Sequence, residues 1–298
     1  MINNSLPKFI IIGPDTENTQ DLLEEIRHRH SEVNLISLKD ICFKFSENKF
    51  IAKWNNFYLD SFDIFIFRGY NKNLLFAKIL ANHLLEQNKI VLDTIVGKNS
   101  LSGKVAQAFI FSQKNISHPK TYQAVSFSAY KKLLSDIPFP IIVKPVDGQK
   151  GQGIEKFNDK KSALAFFYKH TKDLLIQEYL PITSDIRVFI VAGKVLGGIR
   201  RMIIQGDYRS NASLGAIAEK IQLTPEMENL ALQAAAAMDY EIAGVDLIEN
   251  NGKLYVLEVN IAPQWQKFKE VTGINPARDI VDLAIKRYLK TNPVVLDK

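Results

Sequence analysis

Apolar residues in this chain follow two rhythms. Short unbroken runs such as "KFIIIG" (Lys8–Gly13) and "FDIFIFRG" (Phe62–Gly69) are closed by glycine, the pattern of strands buried on both faces. Between them, "TENTQDLLEEIRHRH" places Leu22, Leu23 and Ile26 on one helical face, with acidic residues early and basic residues late, matching the helix dipole. "VNLIS" reads as the next strand, and "CFKFSENKFIAKW" alternates about a Ser46–Lys49 turn, which predicts a hairpin. A helix near Asn73–Gln87 then leads into a strand in "IVLDTI". This βαβ order predicts a mostly parallel sheet carrying helices. Arg68 and Gly69 fall just past a strand's carboxyl end, where ligands of α/β sheets gather; a surface position explains them equally well. Composition loosens at "GKNSLSG" (Gly97–Gly103), which marks a boundary. Beyond it come a helix over Lys104–Gln113, a turn and strand in "HPKTYQAV", and a helix near Phe127–Leu134.

The next stretch, "FPIIVKPVDGQKGQGIEKF" (Phe139–Phe157), is strand, bare loop, strand, with a helix only after Asn158–Asp159. It is neither a Walker loop, which needs Lys-Ser/Thr after its last glycine, nor a Rossmann turn, which needs a helix there. Lys144 at the strand's end offers a point charge to phosphate oxygens, and Lys150 adds another at the loop tip. Gly148, Gly151 and Gly153 let backbone amides approach such oxygens and let the loop close. Taken alone, the loop is better explained as a plain hairpin turn with an exposed lysine. Farther on, "LLIQEYLP" is an apolar strand ending in Gln177, Glu178 and Tyr179, polar groups suited to a base edge and a ribose. "SDIRVFIVAGKVLGGIRR" and "QGDYRSNAS" add Arg187, Arg201 and Arg209, whose forks suit carboxylates and phosphates, although each could be a surface ion pair.

"AGVDLIENNGKLYVLEVNIAP" (Ala243–Pro263) is two alternating runs about Asn250-Asn251-Gly252. Side chains on a strand alternate faces, so Val245 and Leu247 share one face, and Leu257, Val259 and Ile261 share another. The opposite faces carry Asp246, and Glu258 with Asn260, which a tight turn brings opposite or diagonal to each other. Converging carboxylate and amide oxygens suit a hard cation such as Mg²⁺ together with phosphate oxygens. The competing explanation is a solvated sheet face, but Asp and Glu are poor strand formers.

Composition and charge narrow this picture without redirecting it. The 298 residues are 46% hydrophobic and 23% charged, an ordinary globular balance that allows two or three structural units. A single cysteine, Cys42, cannot form an internal disulfide, so a reducing compartment is expected. No window is apolar and long enough for a membrane span, and the N-terminal apolar stretch is too short for a signal peptide; the expected location is cytoplasmic. The net charge of +6 comes from lysines spread along the chain, which suits solvated surface or an anionic substrate. A nucleic-acid binder would concentrate that charge in a stripe with interleaved aromatics, so no nucleic-acid partner is expected. The five histidines lack metal spacing.

From about Lys104 to Lys290 the chain resembles the RimK-like ATP-grasp amino-acid ligases, including the LysX branch. "VKPVDGQKGQGI", "QEYL", "SDIRVFIVAGKV", "GDYRSN", "AGVDL", "LEVN" and "VTGIN" stand in the family's order. The resemblance implies an α/β fold: an N-terminal parallel pre-ATP-grasp domain (1–97), then a two-lobed ATP-grasp domain (98–181 and 182–298) holding ATP between two sheets. It implies an ATP-dependent carboxylate–amine ligase that forms an amide through an acylphosphate, adding an amino acid such as glutamate to a carboxylate on a small molecule, peptide or protein. Lys104 and Lys144 match the phosphate-contacting lysines; Gln177, Glu178, Tyr179 and Leu180 match the adenine strand; Asp185 matches the acidic residue near the ribose. Arg209, Ser210 and Asn211 match the nucleotide site, and Asp246, Glu258 and Asn260 the metal ligands. Arg187 or Arg209 would hold the acylphosphate's charge, with Gly148, Lys150, Gly151 and Gly153 closing over the phosphates. Implied cofactors are ATP and Mg²⁺, or Mn²⁺, at two ions per site; implied partners are the carboxylate and amino-acid substrates, and a homo-oligomer, dimer or tetramer.

The chain departs from the family after its last metal strand, at "NIAPQWQKFKE", where Gln264 replaces a glycine and Trp265 follows. Trp265 is expected either as a pocket wall or as a core aromatic at a helix start. Gly103 stands where an aspartate commonly precedes the first lysine. The other classes left open are an ATP-binding module that has lost catalysis, and a basic nucleic-acid-associated protein.

Overall fold

The structure is a computed structural model that describes residues 6–70, 73–98, 100–146, 153–170, 173–203 and 217–293. The chain divides into two compact units, one comprising 1–100, 239–243 and 261–298, the other 101–238 and 244–260.

The first unit is built on strands that the apolar runs predict. β1 (Phe9–Ile12), β2 (Val33–Ile36), β6 (Ile64–Phe67) and β7 (Ile90–Leu92) form a parallel sheet in the order β2-β1-β6-β7. β1 and β6 are buried along their whole length, as near-continuous apolar strands of a parallel sheet must be. Helices α1 (Glu17–His28) and α2 (Leu74–Glu86) make the crossovers, α1 capped by Thr16, whose hydroxyl accepts from Thr19 N at 3.4 Å. The strand expected in "IVLDTI" stops at Leu92, and Thr94–Gly97 is a 3₁₀ turn. The predicted hairpin is present as β3 (Ile41–Ser46) and β4 (Lys49–Trp54), extended by β5 (Phe57–Tyr58) into a three-stranded sheet. One face of that sheet, Ile41, Phe43, Phe50, Ala52 and Trp54, joins the core of the unit.

The second unit begins with α3 (Lys104–Gln113), β8 (Thr121–Gln123), α4 (Phe127–Asp136), β9 (Ile141–Pro145), β10 (Glu155–Phe157), α5 (Lys160–Lys169) and β11 (Leu174–Glu178). Its strands form an antiparallel sheet ordered β10-β9-β11-β8, with Tyr130, Leu134, Val143, Phe167 and Ile176 in one core. A five-stranded sheet ordered β14-β13-β12-β15-β16 completes the unit from β12 (Ser184–Val191), β13 (Lys194–Met202), β14 (Ala218–Ile221), β15 (Ile242–Asn250) and β16 (Lys253–Asn260), with α6 (Pro225–Ala237) packed on it.

After β16 the chain returns to the first unit as α7 (Gln266–Thr272) and α8 (Pro276–Thr291). Trp265 is wholly buried there: its indole Nε1 donates to Asp21 at 2.8 Å and its backbone N–H to Asn18 Oδ1 at 3.3 Å. It is therefore the core aromatic of the two alternatives. Arg68 is buried as well, its guanidinium donating to Pro263 O at 2.5 Å and lying 4.7 Å from the Trp265 ring centroid, so the surface reading of Arg68 fails. Among the described residues no helix is long and apolar enough to cross a membrane. Trp265→Ala removes the largest fully buried side chain, and is expected to lower the urea unfolding free energy by about 3–5 kcal/mol. A loss under about 1 kcal/mol would mean that the returning segment does not hold the unit together.

Candidate active site

Two neighbouring strands at the end of the second unit carry the acidic residues. The turn between β15 and β16 uses Asn251 and Gly252 in the left-handed region, φ 51° and 73°, and a register shift between Asp246 and Leu247 then sets Asp246 directly across from Glu258 and Gly244 across from Asn260. The expected alternation breaks once: Val256 pairs with Leu247 but Glu258, not Leu257, pairs with Asp246, so Val256 and Val259 are buried while Leu257 is the extra residue and half-exposed. Leu257 thus leaves the core face assigned to it from the alternation, and lines a pocket with Lys104, Gln107, His118, Lys144 and Gln177.

Asp246 is buried and embraced by two arginines. Arg187 on β12 donates through Nε to Asp246 Oδ1 and through Nη2 to Oδ2 at 2.7 Å, and Arg201 Nη2 on β13 lies 3.0 Å from Oδ1. Arg201 also forks onto the wholly buried Asp185 with two 2.6 Å bonds, as the β12–β13 register opposes these two residues. Burial alone would raise the Asp246 carboxyl, but Arg187 and Arg201 outweigh it and hold it below the usual range. Asp185 is raised, burial with the nearby Asp246 charge outweighing Arg201 and Arg187, and Arg201 is raised because Asp246 and Asp185 outweigh its own burial. The face is a charge-balanced alternation of two carboxylates and two guanidinia, with Glu258 at its edge.

The facing chemistry comes from the four-stranded sheet. Lys144 Nζ on β9 donates to Gln177 Oε1 on β11 at 3.0 Å, and Gln177 Nε2 donates to Thr121 Oγ1 at 3.0 Å. Burial pushes the Lys144 ammonium down to about 8, with the Glu258 charge opposing and the Lys104 charge adding to the fall. Lys144 thus lies within electrostatic reach of both Glu258 and Lys104. Glu178 Oε1 accepts from Lys120 N at 2.7 Å, Tyr179 carries the Lys156 ammonium 3.6 Å above its ring, and Leu180 is half-exposed. Gly153 has φ 73° and packs on Pro145, where a Cβ would come within 2.8 Å of the ring. Gly148, Lys150, Gly151, Arg209, Ser210 and Asn211 lie outside the described residues.

One positioning residue escaped sequence reasoning. Gln107 on α3 accepts from Val259 N and donates to Val259 O, both at 2.9 Å, occupying the free edge of β16 between Glu258 and Asn260. Asn260 Nδ2 turns toward Gly244 O at 3.4 Å, which leaves its amide oxygen to a ligand. No group of three or more His, Cys, Asp or Glu that could hold a metal is found among the described residues. Asp246, Glu258 and Asn260 stand on neighbouring positions of paired strands, and their side-chain oxygens are the donor type that a hard cation takes.

A sequence profile of the RimK-like ATP-grasp domain matches residues 101–284. A protein of Picosynechococcus named as a probable alpha-L-glutamate ligase is 27% identical over 293 residues, covering 96% of each chain. Among solved structures, ATP-grasp ligase PsnB complexed with a phosphomimetic variant of its minimal precursor, Mg and ADP superimposes with a TM-score of 0.72 at 17% identity, covering 95% of this chain and all of that one. D-alanine–D-alanine ligase from Bacillus anthracis gives 0.61 at 18% identity over 96% of this chain and 98% of that one.

The Lys144 shift sets a sign for stability. Its ordinary value is 10.5, so between pH 8 and that value the folded chain gives up a proton that the unfolded chain keeps. Stability from this group therefore rises with pH across that window. Lys144→Met removes the effect. The wild-type-minus-variant difference in unfolding free energy should move toward the wild type from about pH 7 to about pH 9.5, by no more than about 1.4 kcal/mol per pH unit. A flat difference would place the ammonium in water.

Proposed function

The chain belongs to the RimK-like ATP-grasp family, and from that premise we propose that it joins L-glutamate, as the amine, to a carboxylate on a peptide or protein. It is an ATP-dependent carboxylate–amine ligase that uses ATP and Mg²⁺. The glutamate assignment is supported by the name of the Picosynechococcus relative and by a net charge of +6 that suits acidic substrates. The observation that carries the catalytic reading is the Asp246–Glu258 cross-strand pair within electrostatic reach of Lys144.

In this reading Asp246, Glu258 and Asn260 hold magnesium, or manganese through the same oxygen donors, as two ions. When bound, the metal neutralises charge on the ATP phosphates and so eases attack by the substrate carboxylate. Lys104 and Lys144 take phosphate oxygens, and a phosphate beside Lys144 restores its proton above pH 8. Glu178, Tyr179 and Leu180 border the base, while Gly148, Lys150, Gly151 and Gly153 close over the phosphates. Asp185 acts through Arg201 rather than on the ribose, since it is wholly buried beneath that fork. Arg187 spends Nε and Nη2 on Asp246, which leaves Nη1 to steady the charge on the acylphosphate until the amine attacks and phosphate departs. Arg209, Ser210 and Asn211 complete the nucleotide contacts.

The test is ADP formation from ATP and Mg²⁺ with single amino acids, paired with mass spectrometry of lysate peptides and proteins given labelled glutamate. Glutamate-dependent ADP release and mass increments of glutamate residues are expected. Another amino acid supporting turnover would overturn the substrate, and nucleotide binding without any turnover would overturn the ligase reading. Glu258→Ala is expected to cut ADP formation by at least about 100-fold with the fold intact by circular dichroism.

A further inference from the structure

The three-stranded sheet of the first unit has a second face that the ligase site does not use. Alternation puts Phe43 and Phe45 on the core side, and Lys44, Lys49, Lys53 and Tyr58 on the other, with Lys53 directly opposite Tyr58 across the β4–β5 pairing. The Lys53 ammonium lies 4.0 Å from the Tyr58 ring centroid, and the phenol is lowered by Lys53 foremost, then by Lys49 and Lys44. Among the described residues none of the three lysines has a carboxylate within salt-bridge distance.

β3 is an edge strand, because the sheet order is β3-β4-β5, and its Cys42, Lys44, Phe45 and Ser46 are exposed. An edge strand presents unpaired backbone donors and acceptors on its outer side. The core side of this edge ends in an open aromatic cluster. Phe45 is 64% exposed, Phe76 45% and Leu75 66%, and Phe43 stacks 5.6 Å from Phe76 and 6.5 Å from Phe45. A strand laid along β3 would therefore meet phenylalanines on one face and lysines on the other.

We propose that the β3 edge is a docking site for an extended acidic peptide segment, added antiparallel as a fourth strand, with acidic residues alternating with apolar ones. The period-two match is what the two faces demand: glutamate or aspartate toward Lys44 and Lys49, apolar side chains toward Phe43, Phe45 and Phe76. Charge argues against a second copy of this chain as the occupant, since antiparallel pairing of β3 with itself brings the two Lys44 side chains together near the two-fold axis.

The probe is a capped synthetic peptide of about eight residues alternating glutamate with valine, titrated into the full chain. Its controls are the same peptide with lysine for glutamate, and the acidic peptide N-methylated at alternate amides, which keeps its charge but removes ladder donors. The acidic peptide is expected to bind in the micromolar range, to slow maleimide modification of Cys42, and to lose about tenfold in affinity on N-methylation. The lysine peptide is expected not to bind. The combined Lys44→Glu, Lys49→Glu, Lys53→Glu variant, checked for an unchanged melting curve, should reverse that preference. Equal binding of both peptides, unchanged affinity on N-methylation, or no binding at all overturns the proposal. So does sedimentation showing a dimer that Phe45→Glu dissociates, since a second copy would then own the edge.

Discussion

A carboxylate removed from water must be neutralised, and most of this site's organisation follows from how that is done at Asp246. Ionised and buried on β15, it is held between the guanidinia of Arg187 and Arg201, while Arg201 is shared with Asp185. Taking two charges from water costs several kcal/mol per ion, recovered only when geometry is good and the remaining donors are used. The fork bonds meet that condition. The consequence reaches beyond one residue: β12, β13 and β15 are locked in register by side chains as well as by their backbone ladders. Replacing either arginine alone leaves a buried carboxylate under-neutralised, which is worse than never having buried it.

The metal role proposed for Asp246 falls on a carboxylate that two arginines already hold, in a network that is charge-balanced without Glu258. That residue stands at the sheet edge, opposed to Asp246 and coupled to Lys144. The Lys144 shift reports chiefly the burial of an ammonium, with the Lys104 charge adding to the fall and the Glu258 charge opposing it. In the proposed reaction an anionic phosphate entering beside Lys144 and Lys104 relieves that shift. Binding and proton occupancy are thus tied at one lysine, whereas Asp246 and its arginines stay charged throughout.

What the sequence made legible was whatever follows from local period. Alternation within each strand put Asp246 and Glu258 on the polar faces, the apolar runs marked β1 and β6, and the amphipathic stretch marked α1, but the direct opposition of Asp246 and Glu258 needs the bulge. The bulge at Leu257 was not legible, since a single extra residue in a strand leaves no compositional mark and shifts every later side chain. Gln107 was missed for a different reason: a glutamine on an amphipathic helix looks like surface, and only the fold brings it to the Val259 backbone. Arg68 and Trp265 lie nearly two hundred residues apart in sequence, so their stacking, and the anchoring of Trp265 by Asp21, had no local signal. The return of residues 261–298 to the first unit is a property of long-range contacts that no window can show.

The basic charge illustrates the same limit in another form. Along the chain the lysines look dispersed, which argued against any concentrated basic surface. Lys44, Lys49 and Lys53 are separated by a turn and by alternate positions, yet antiparallel pairing opposes Lys49 to Ser46 and Lys53 to Cys42 on the face that carries Lys44. A hairpin thus condenses charges that sequence spacing keeps apart. The same register sends Phe43, Phe45 and Phe50 to the other side, so one sheet is apolar beneath and cationic above. Dispersed charge in sequence therefore excludes a linear basic tract but not a folded one. Here the folded patch is small and borders an open strand edge, which favours an extended acidic chain over the broad, phosphate-lined surface of a nucleic acid.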